Sequence, residues 1–222
     1  MLALPYLLAD FANEDGLIAI GGDLRPERLL QAYRNGVFPW YDENEPICWW
    51  SPNPRAIFEL NGLHVSRRLR RVRRSRRFTV TVNRDFAGVI RGCAEGRAEG
   101  TWITPEMIVA YETLHRLGYA HSVEAWEGNS LVGGLYGVDA GGAFSGESMF
   151  CYRSNASKLA LLYLIEHLQK RGLDWIDIQM LTPHMEALGA KSIDRSEFLQ
   201  KLSLALKRKI VLFAATNSLL LA

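Results

Sequence analysis

The sequence predicts an α+β protein with a central, mainly antiparallel sheet, preceded by a small N-terminal unit. Three observations carry this. HSVEAW, LVGGLYGV and AFSGESM alternate at period two and are joined by turn signals at EGN and DAGG, which makes three strands linked by hairpins. ASKLALLYLIEHLQKRG then changes to a helix that is apolar round most of its girth and so is buried, and LDWIDIQM returns as a strand. Ahead of these, residues 1–53 hold one short helix and a proline-rich loop, so the chain divides into a small domain at 1–53 and a larger one at 54–222.

A chain of 222 residues with 48% apolar content buries a real core. The leading LALPYLLA has no basic leader and runs into Asp10, which reads as packing and not as a signal peptide. DLRPERLLQAYRNG is a punctuated helix, with Asp23 as its expected N-cap, Pro26 in the first turn and Gly36 as its stop. In FPWYDENEPICWWSPNPR four prolines break regular structure around Trp40, Trp49 and Trp50, which act either as glue for the small domain or as a stacking platform for a base.

Residues 66–77, SRRLRRVRRSRR, hold eight arginines and no acid. The whole chain carries +2; without those eight it has 18 basic against 24 acidic side chains, so the basicity is a local patch. Val65, Leu69 and Val72 recur at helical spacing and give this helix an apolar stripe for docking, and the FTVTV strand that follows sets it inside the folded domain. Arginine's planar fork suits phosphate, so a nucleic acid backbone is the leading ligand and an anionic membrane surface the second. Next come two helices, NRDFAGVIRGCAEG and TWITPEMIVAYETLHRLG, the second capped by Thr104 with Pro105 at its first position. Asn155 is the expected cap of the buried helix. The final IVLFAATNSLLLA has 13 residues against the roughly 20 needed to span a bilayer, which favours a last strand or packed tail. Three scattered cysteines without a Cys-x-x-Cys pair suit a reducing cytoplasm, and neither they nor the five histidines show metal-ligand spacing.

In LDWIDIQM, period two places Ile176, Ile178 and Met180 on one face and Trp175, Asp177 and Gln179 on the other. A carboxylate and a carboxamide then share a direction, roughly 6.5 to 7 Å apart at the Cα. Glu147, set in FSGESMF, is the second acidic candidate. Together Glu147 and Asp177 form an anionic pocket for a cationic substrate or satisfy two of the protein's own arginines. Strand, strand, strand, helix, strand is the core order of the superfamily that includes the GNAT acetyltransferases. The junction that grips coenzyme A there with glycines reads FCYRSNASK here, so an acyl donor other than coenzyme A is expected.

In order along the chain, GLIAIGGDLRPERLLQAYRNGVFPWY, ICWWSPNPRAIFEL, LHVSRRLRR, GTWITPEM, AHSVEAW, LVGGLYGV, FSGESMF, NASK, IDIQ and LGAKSIDR closely resemble the leucyl/phenylalanyl-tRNA protein transferases. That resemblance implies an enzyme with a small N-terminal domain and a GNAT-like domain. It would move leucine or phenylalanine from tRNA to the N-terminal arginine or lysine of proteins, marking them for N-end-rule degradation. It further implies that Trp40 stacks on the terminal adenosine and that Trp102, Phe144, Leu135, Leu161 and Ile176 surround the aminoacyl group. Glu147 would recognise the basic acceptor residue, and Asp177 and Gln179 would act at its amine, with Asp177 polarising Gln179. Arg67, Arg68, Arg70, Arg71, Arg73, Arg74, Arg76 and Arg77 would hold the acceptor stem. Ile178 stands where the family usually has cysteine, and MFCYR where relatives commonly have Met-Phe-Ser-Arg. The expected partners are Leu-tRNA, Phe-tRNA and proteins with N-terminal Arg or Lys. The expected protein is a cytoplasmic monomer with no metal and no cofactor. The competing readings are a coenzyme A-dependent acetyltransferase and a non-catalytic RNA-binding protein.

Overall fold

The computed structural model describes residues 8–95, 101–213 and 219–221. Of the N-terminal LALPYLLA, only Leu8 and Ala9 fall within them, and Ala9 is buried. Strand β1 (Leu17–Ile20), helix α1 (Pro26–Arg34), β2 (Phe38–Pro39) and β3 (Cys48–Trp50) make the first unit, whose sheet has the order β1-β3-β2 and is antiparallel. Helix α1 begins at Pro26, and the residue before a proline is held extended, so Arg25 occupies the N-cap and not Asp23 as expected. The Asp23 carboxylate accepts from the Arg25 backbone N–H instead, at 3.2 Å. Gly36 does end the helix, at φ +74°, and a Cβ there would meet the Phe198 and Leu199 side chains at 2.8 Å.

The rest of the chain builds an eight-stranded sheet. Its elements are β4 (Arg55–Glu59), α2 (Arg67–Arg74), β5 (Thr79–Val82), α3 (Phe86–Glu95), α4 (Pro105–Arg116), β6 (Ala120–Glu127), β7 (Ser130–Asp139) and β8 (Phe144–Cys151). They continue through α5 (Ala156–Gln169), β9 (Trp175–Gln179), α6 (Pro183–Glu186), β10 (Lys191–Ile193), α7 (Arg195–Lys207) and β11 (Leu219–Leu221). The order is β10-β4-β9-β8-β7-β6-β5-β11, antiparallel at every junction except β8 with β9. The three hairpin strands and the α5 crossover that the sequence predicts are all present, and a helical crossover is what a parallel neighbour requires. The parallel pair is registered at Ser145 and Asp177.

Helix α5 is buried along its length, from Ala156 to Leu168. Asn155 stands at its N-cap in the left-handed region, φ 72°, without a side-chain capping bond, so it serves by conformation and not by capping chemistry. Thr104 caps α4 as expected, its hydroxyl accepting from the Met107 N–H, and Ser66 caps α2 in the same way. The C-terminal apolar run tucks Leu212 and Phe213 into the core and ends in β11, antiparallel to β5. Among the described residues, no helix is long and apolar enough to cross a membrane. One apolar cluster runs from Leu29, Leu30 and Trp49 into Phe86, Val89, Tyr111 and Val138, so the first unit shares its core with the large sheet.

At the β7–β8 hairpin the register shifts between Tyr136 and Gly137, and a Cβ on Gly137 would lie 2.3 Å from the Ser145 carbonyl oxygen and 2.5 Å from the Phe144 ring. Gly137→Ala should therefore lower unfolding free energy by about 1–3 kcal/mol, measured by urea denaturation, because backbone on one side leaves no slack.

Candidate active site

Where β8 and β9 diverge from their shared register, a cavity of about 210 Å³ opens. Its walls include Leu135, Met149, Leu161, Leu164, Ile176, Ile178 and Met185, with Tyr136, Glu147 and His184 as its ionisable members. Three of the residues assigned to the donor pocket, Leu135, Leu161 and Ile176, meet here. Phe144 does not line it. That ring is 1% exposed and packs on Phe213 in the layer beneath, with centroids 5.7 Å apart. The Phe144 position is thus fixed by the core it fills.

A second cleft of about 210 Å³ adjoins the first and shares Glu147, Ile178, Met180 and Thr182 with it. Trp40, Trp102, Phe38, Pro39 and Gln179 complete its wall. Of the three loop tryptophans, Trp49 is fully buried and donates its indole N–H to Gly21 O at 2.9 Å, which is the role of glue. Trp40 remains 39% exposed, braced edge-on by Trp50 and by the Trp50 indole N–H on its carbonyl oxygen. A large π face held rigid at a cleft is suited to stacking.

Asp177 and Gln179 diverge. The Asp177 carboxylate takes Nε and Nη2 of Arg55 at 2.8 and 2.7 Å, Ser145 Oγ at 3.0 Å and the Gln179 backbone N–H at 3.1 Å. Arg55 is equally enclosed, at 1% exposure, with Nη1 on Gly36 O and its guanidinium against the Phe38 and Phe198 rings at 4.9 and 4.4 Å. Of the two expectations for Asp177, the protein's own arginine is the one realised. Gln179 has φ +58°, which breaks the period-two alternation at the strand end, and its side chain turns to Glu147, Nε2 donating to Oε1 at 3.0 Å. Asp177 reaches Gln179 at its backbone N–H and not at its carboxamide, so the predicted polarisation of that side chain has no direct contact, and the two side chains do not share a partner. Met180, expected on the Ile face of the strand, lies just past its end.

Glu147 sits half-buried at the junction of both clefts. Desolvation there pushes its carboxyl up to about 8; the Tyr33 and Tyr111 hydroxyls and Arg55 pull the other way, and Asp177 adds to the rise. The Tyr111 hydroxyl donates to Glu147 Oε2 at 3.4 Å and meets the Tyr33 hydroxyl at 2.5 Å. Burial raises both phenols well above 10, so they act as hydrogen-bond donors at neutral pH. Burial and Lys158 lower His184. Tyr33, Tyr111 and Arg55 were not singled out by sequence reasoning. The tyrosines hide in apolar helix faces, and the one signal for Arg55 is a charge set directly before the apolar Ala56, Ile57 and Phe58.

All eight arginines of the basic run are exposed, and Leu69 anchors α2 from below with Val65 and Val72. They are not equivalent. Arg73 is held bidentately by Glu166 and stacks on Tyr163, while Arg77 pairs with Glu127. Arg68 reaches Ser154 at 3.3 Å. Arg70, Arg73, Arg74 and Arg76 face a groove of about 870 Å³ between α2 and α5.

An apolar cavity that opens onto an aromatic cleft carrying a carboxamide and a carboxyl gives two reacting groups room to meet, the layout of a group-transfer enzyme. Family models specify the group. The leucyl/phenylalanyl-tRNA protein transferase model matches residues 57–203, and the model of that family's N-terminal domain matches 22–53. Similar proteins include the leucyl/phenylalanyl-tRNA–protein transferases of Idiomarina loihiensis, 52% identical over 94% of this chain and 89% of that one, and of an Anaeromyxobacter species, 56% identical over 90% and 86%. Among solved structures, L-PGS from Bacillus licheniformis overlaps with a TM-score of 0.40 at 16% identity, over 71% of this chain and 53% of that one. The chain belongs to the leucyl/phenylalanyl-tRNA protein transferase family and is an aminoacyltransferase.

Two predictions arise from the site. Arg55→Met alone should destabilise by about 3–5 kcal/mol because it strands the buried Asp177 charge, whereas Arg55→Met with Asp177→Leu should recover most of that loss in chemical denaturation. Because the folded Glu147 binds its proton more tightly than the unfolded chain does, it lowers stability as pH rises from about 4.5 to about 8. Glu147→Gln should remove that loss, so its melting temperature should pull ahead of wild type by several degrees across the window, read by calorimetry.

Proposed function

We propose that the enzyme transfers leucine or phenylalanine from aminoacyl-tRNA to the N-terminal arginine or lysine of a protein acceptor. The apolar cavity at the β8–β9 divergence, next to Trp40, Trp102 and Gln179, is the observation that carries this reading. In it, the aminoacyl side chain occupies the slot of Leu135, Leu161 and Ile176, and the terminal adenosine lies against Trp40. The amine approaches Gln179, which donates one Nε2 hydrogen to Glu147 and offers its Oε1 as the acceptor for an amine N–H. The ester is already activated, and alignment alone provides effective molarities of roughly 10⁵ M or more. The polar members at the cleft suit a basic acceptor residue, and the exposed arginines of α2 suit the acceptor stem. The small domain at 1–53, a cytoplasmic site of action and a monomeric state complete the proposal.

The test mixes the protein with labelled Phe-tRNA, or with labelled acetyl coenzyme A, and a peptide beginning with arginine. Label should reach the peptide from tRNA and not from coenzyme A; the reverse would sink the reading. Charge reversal at Arg70, Arg71 and Arg74 should weaken tRNA binding and reduce the log–log salt slope by roughly 0.7 to 0.9 for each phosphate no longer neutralised, while an aminoacyl-adenosine donor is nearly unaffected. Reversal at Arg73 or Arg77, which Glu166 and Glu127 already occupy, should change that slope less.

A further inference from the structure

Aminolysis of an ester must move one proton. The C–N bond forms, the ester C–O bond breaks, the amine nitrogen sheds a proton and the departing ribose oxygen requires one. A carboxamide does not take up a proton at neutral pH, so Gln179 orients the amine without deprotonating it. Asp177 is badly placed for the task, because four donors fill its two oxygens and it is 3% exposed beneath the strand.

Glu147 is differently placed. It lines both clefts, so it faces the donor slot and the amine approach together. Its Oε1 lies one hydrogen bond from the amide that would hold the amine, and its Oε2 is gripped from behind by Tyr111, itself backed by Tyr33. Building on the transferase reading above, we propose that Glu147 accepts the proton of the attacking amine and returns it to the departing ribose oxygen, with Tyr111 and Tyr33 as positioning residues that hold its far oxygen. No other reactant is needed, since the carboxyl ends the cycle as it began.

The surroundings favour this assignment. A carboxyl at about 8 is matched to an acceptor α-amine near about 7.7 to 8.0, the condition under which proton transfer is nearly balanced in both directions. The charged and titratable groups facing it are Tyr33 from α1, Tyr111 from α4, Arg55 from β4, Asp177 from β9, and, across the cavity, Tyr136 from β7 and His184 from α6. The phenols of Tyr33 and Tyr111 keep their protons, His184 is neutral at neutral pH, and the opposite charges of Arg55 and Asp177 are paired with each other.

The experiment measures kcat and KM for transfer to peptides beginning with arginine and with norleucine, from about pH 6 to about pH 9. Glu147→Gln, which keeps the shape of the side chain, should lower kcat by about 100-fold or more with both peptides alike, and leave donor KM within about twofold. It should also reduce the log–log slope of the rising limb of kcat/KM from about two protons to about one, the amine's own. Glu147→Asp should recover part of the rate. Tyr111→Phe removes a donor that lowers the Glu147 carboxyl, so it should move that limb to higher pH without changing its slope. A loss confined to the arginine peptide would overturn the inference, leaving Glu147 only a reader of acceptor charge; so would an unchanged slope. Wild type that moves no label from tRNA would overturn the transferase reading itself, whereas active wild type beside an equally active Glu147→Gln overturns this inference alone.

Discussion

The bidentate pair of Arg55 and Asp177 holds the site in place. Two charges are withdrawn from water, a cost repaid only by near-ideal geometry and by partners for every remaining donor and lone pair. Here those partners come from far apart: Gly36 after α1, Phe38 of the small sheet, Ser145 of β8, the Gln179 backbone and Phe198 of α7. The first unit, the large sheet and the last long helix are thereby fixed at one point. The same Asp177 carboxylate takes the backbone N–H of Gln179 in its left-handed turn, and from that turn the carboxamide reaches Glu147.

Much of the fold was legible because its signals are local. The alternation of β6, β7 and β8, the all-round apolar α5, the Thr104 cap and the stripe beneath the arginines each follow from a few adjacent residues. Leu135, Leu161 and Ile176, which the resemblance groups together, line one cavity. What escaped depends on distance or on a single dihedral. Arg55 and Asp177 lie 122 positions apart, and Tyr33 and Tyr111 lie 78 apart, so no periodicity links them. Asp177 and Gln179 were expected to share a face by period-two arithmetic, which fails where one residue takes φ +58°. Phe144 shows the same limit: an aromatic ring near a pocket reads alike whether it lines the wall or supports it.

The arginine run shows how a patch that looks uniform in sequence becomes differentiated on folding. The apolar stripe fixes which side of α2 faces α5, and that orientation brings Arg73 against Glu166 and Tyr163. A guanidinium already held bidentately has fewer donors left for phosphate, while Arg70, Arg71 and Arg74 keep theirs. Docking of the helix and display of charge are thus divided among neighbours one turn apart.

The thioethers of Met149, Met180 and Met185 in the cavity wall have a chemical consequence of their own. Unbranched and polarisable, they adapt their outline to whatever apolar group they meet, which suits a slot for both a branched aliphatic chain and a flat ring. The same sulfur atoms are the oxidisable part of that wall. Conversion of one to its sulfoxide would set a strong dipole and a chiral sulfur into the apolar part of the wall, and only a reductase would restore it. A wall built from methionine therefore brings with it an exposure to peroxide that a lining of leucine and isoleucine would not have.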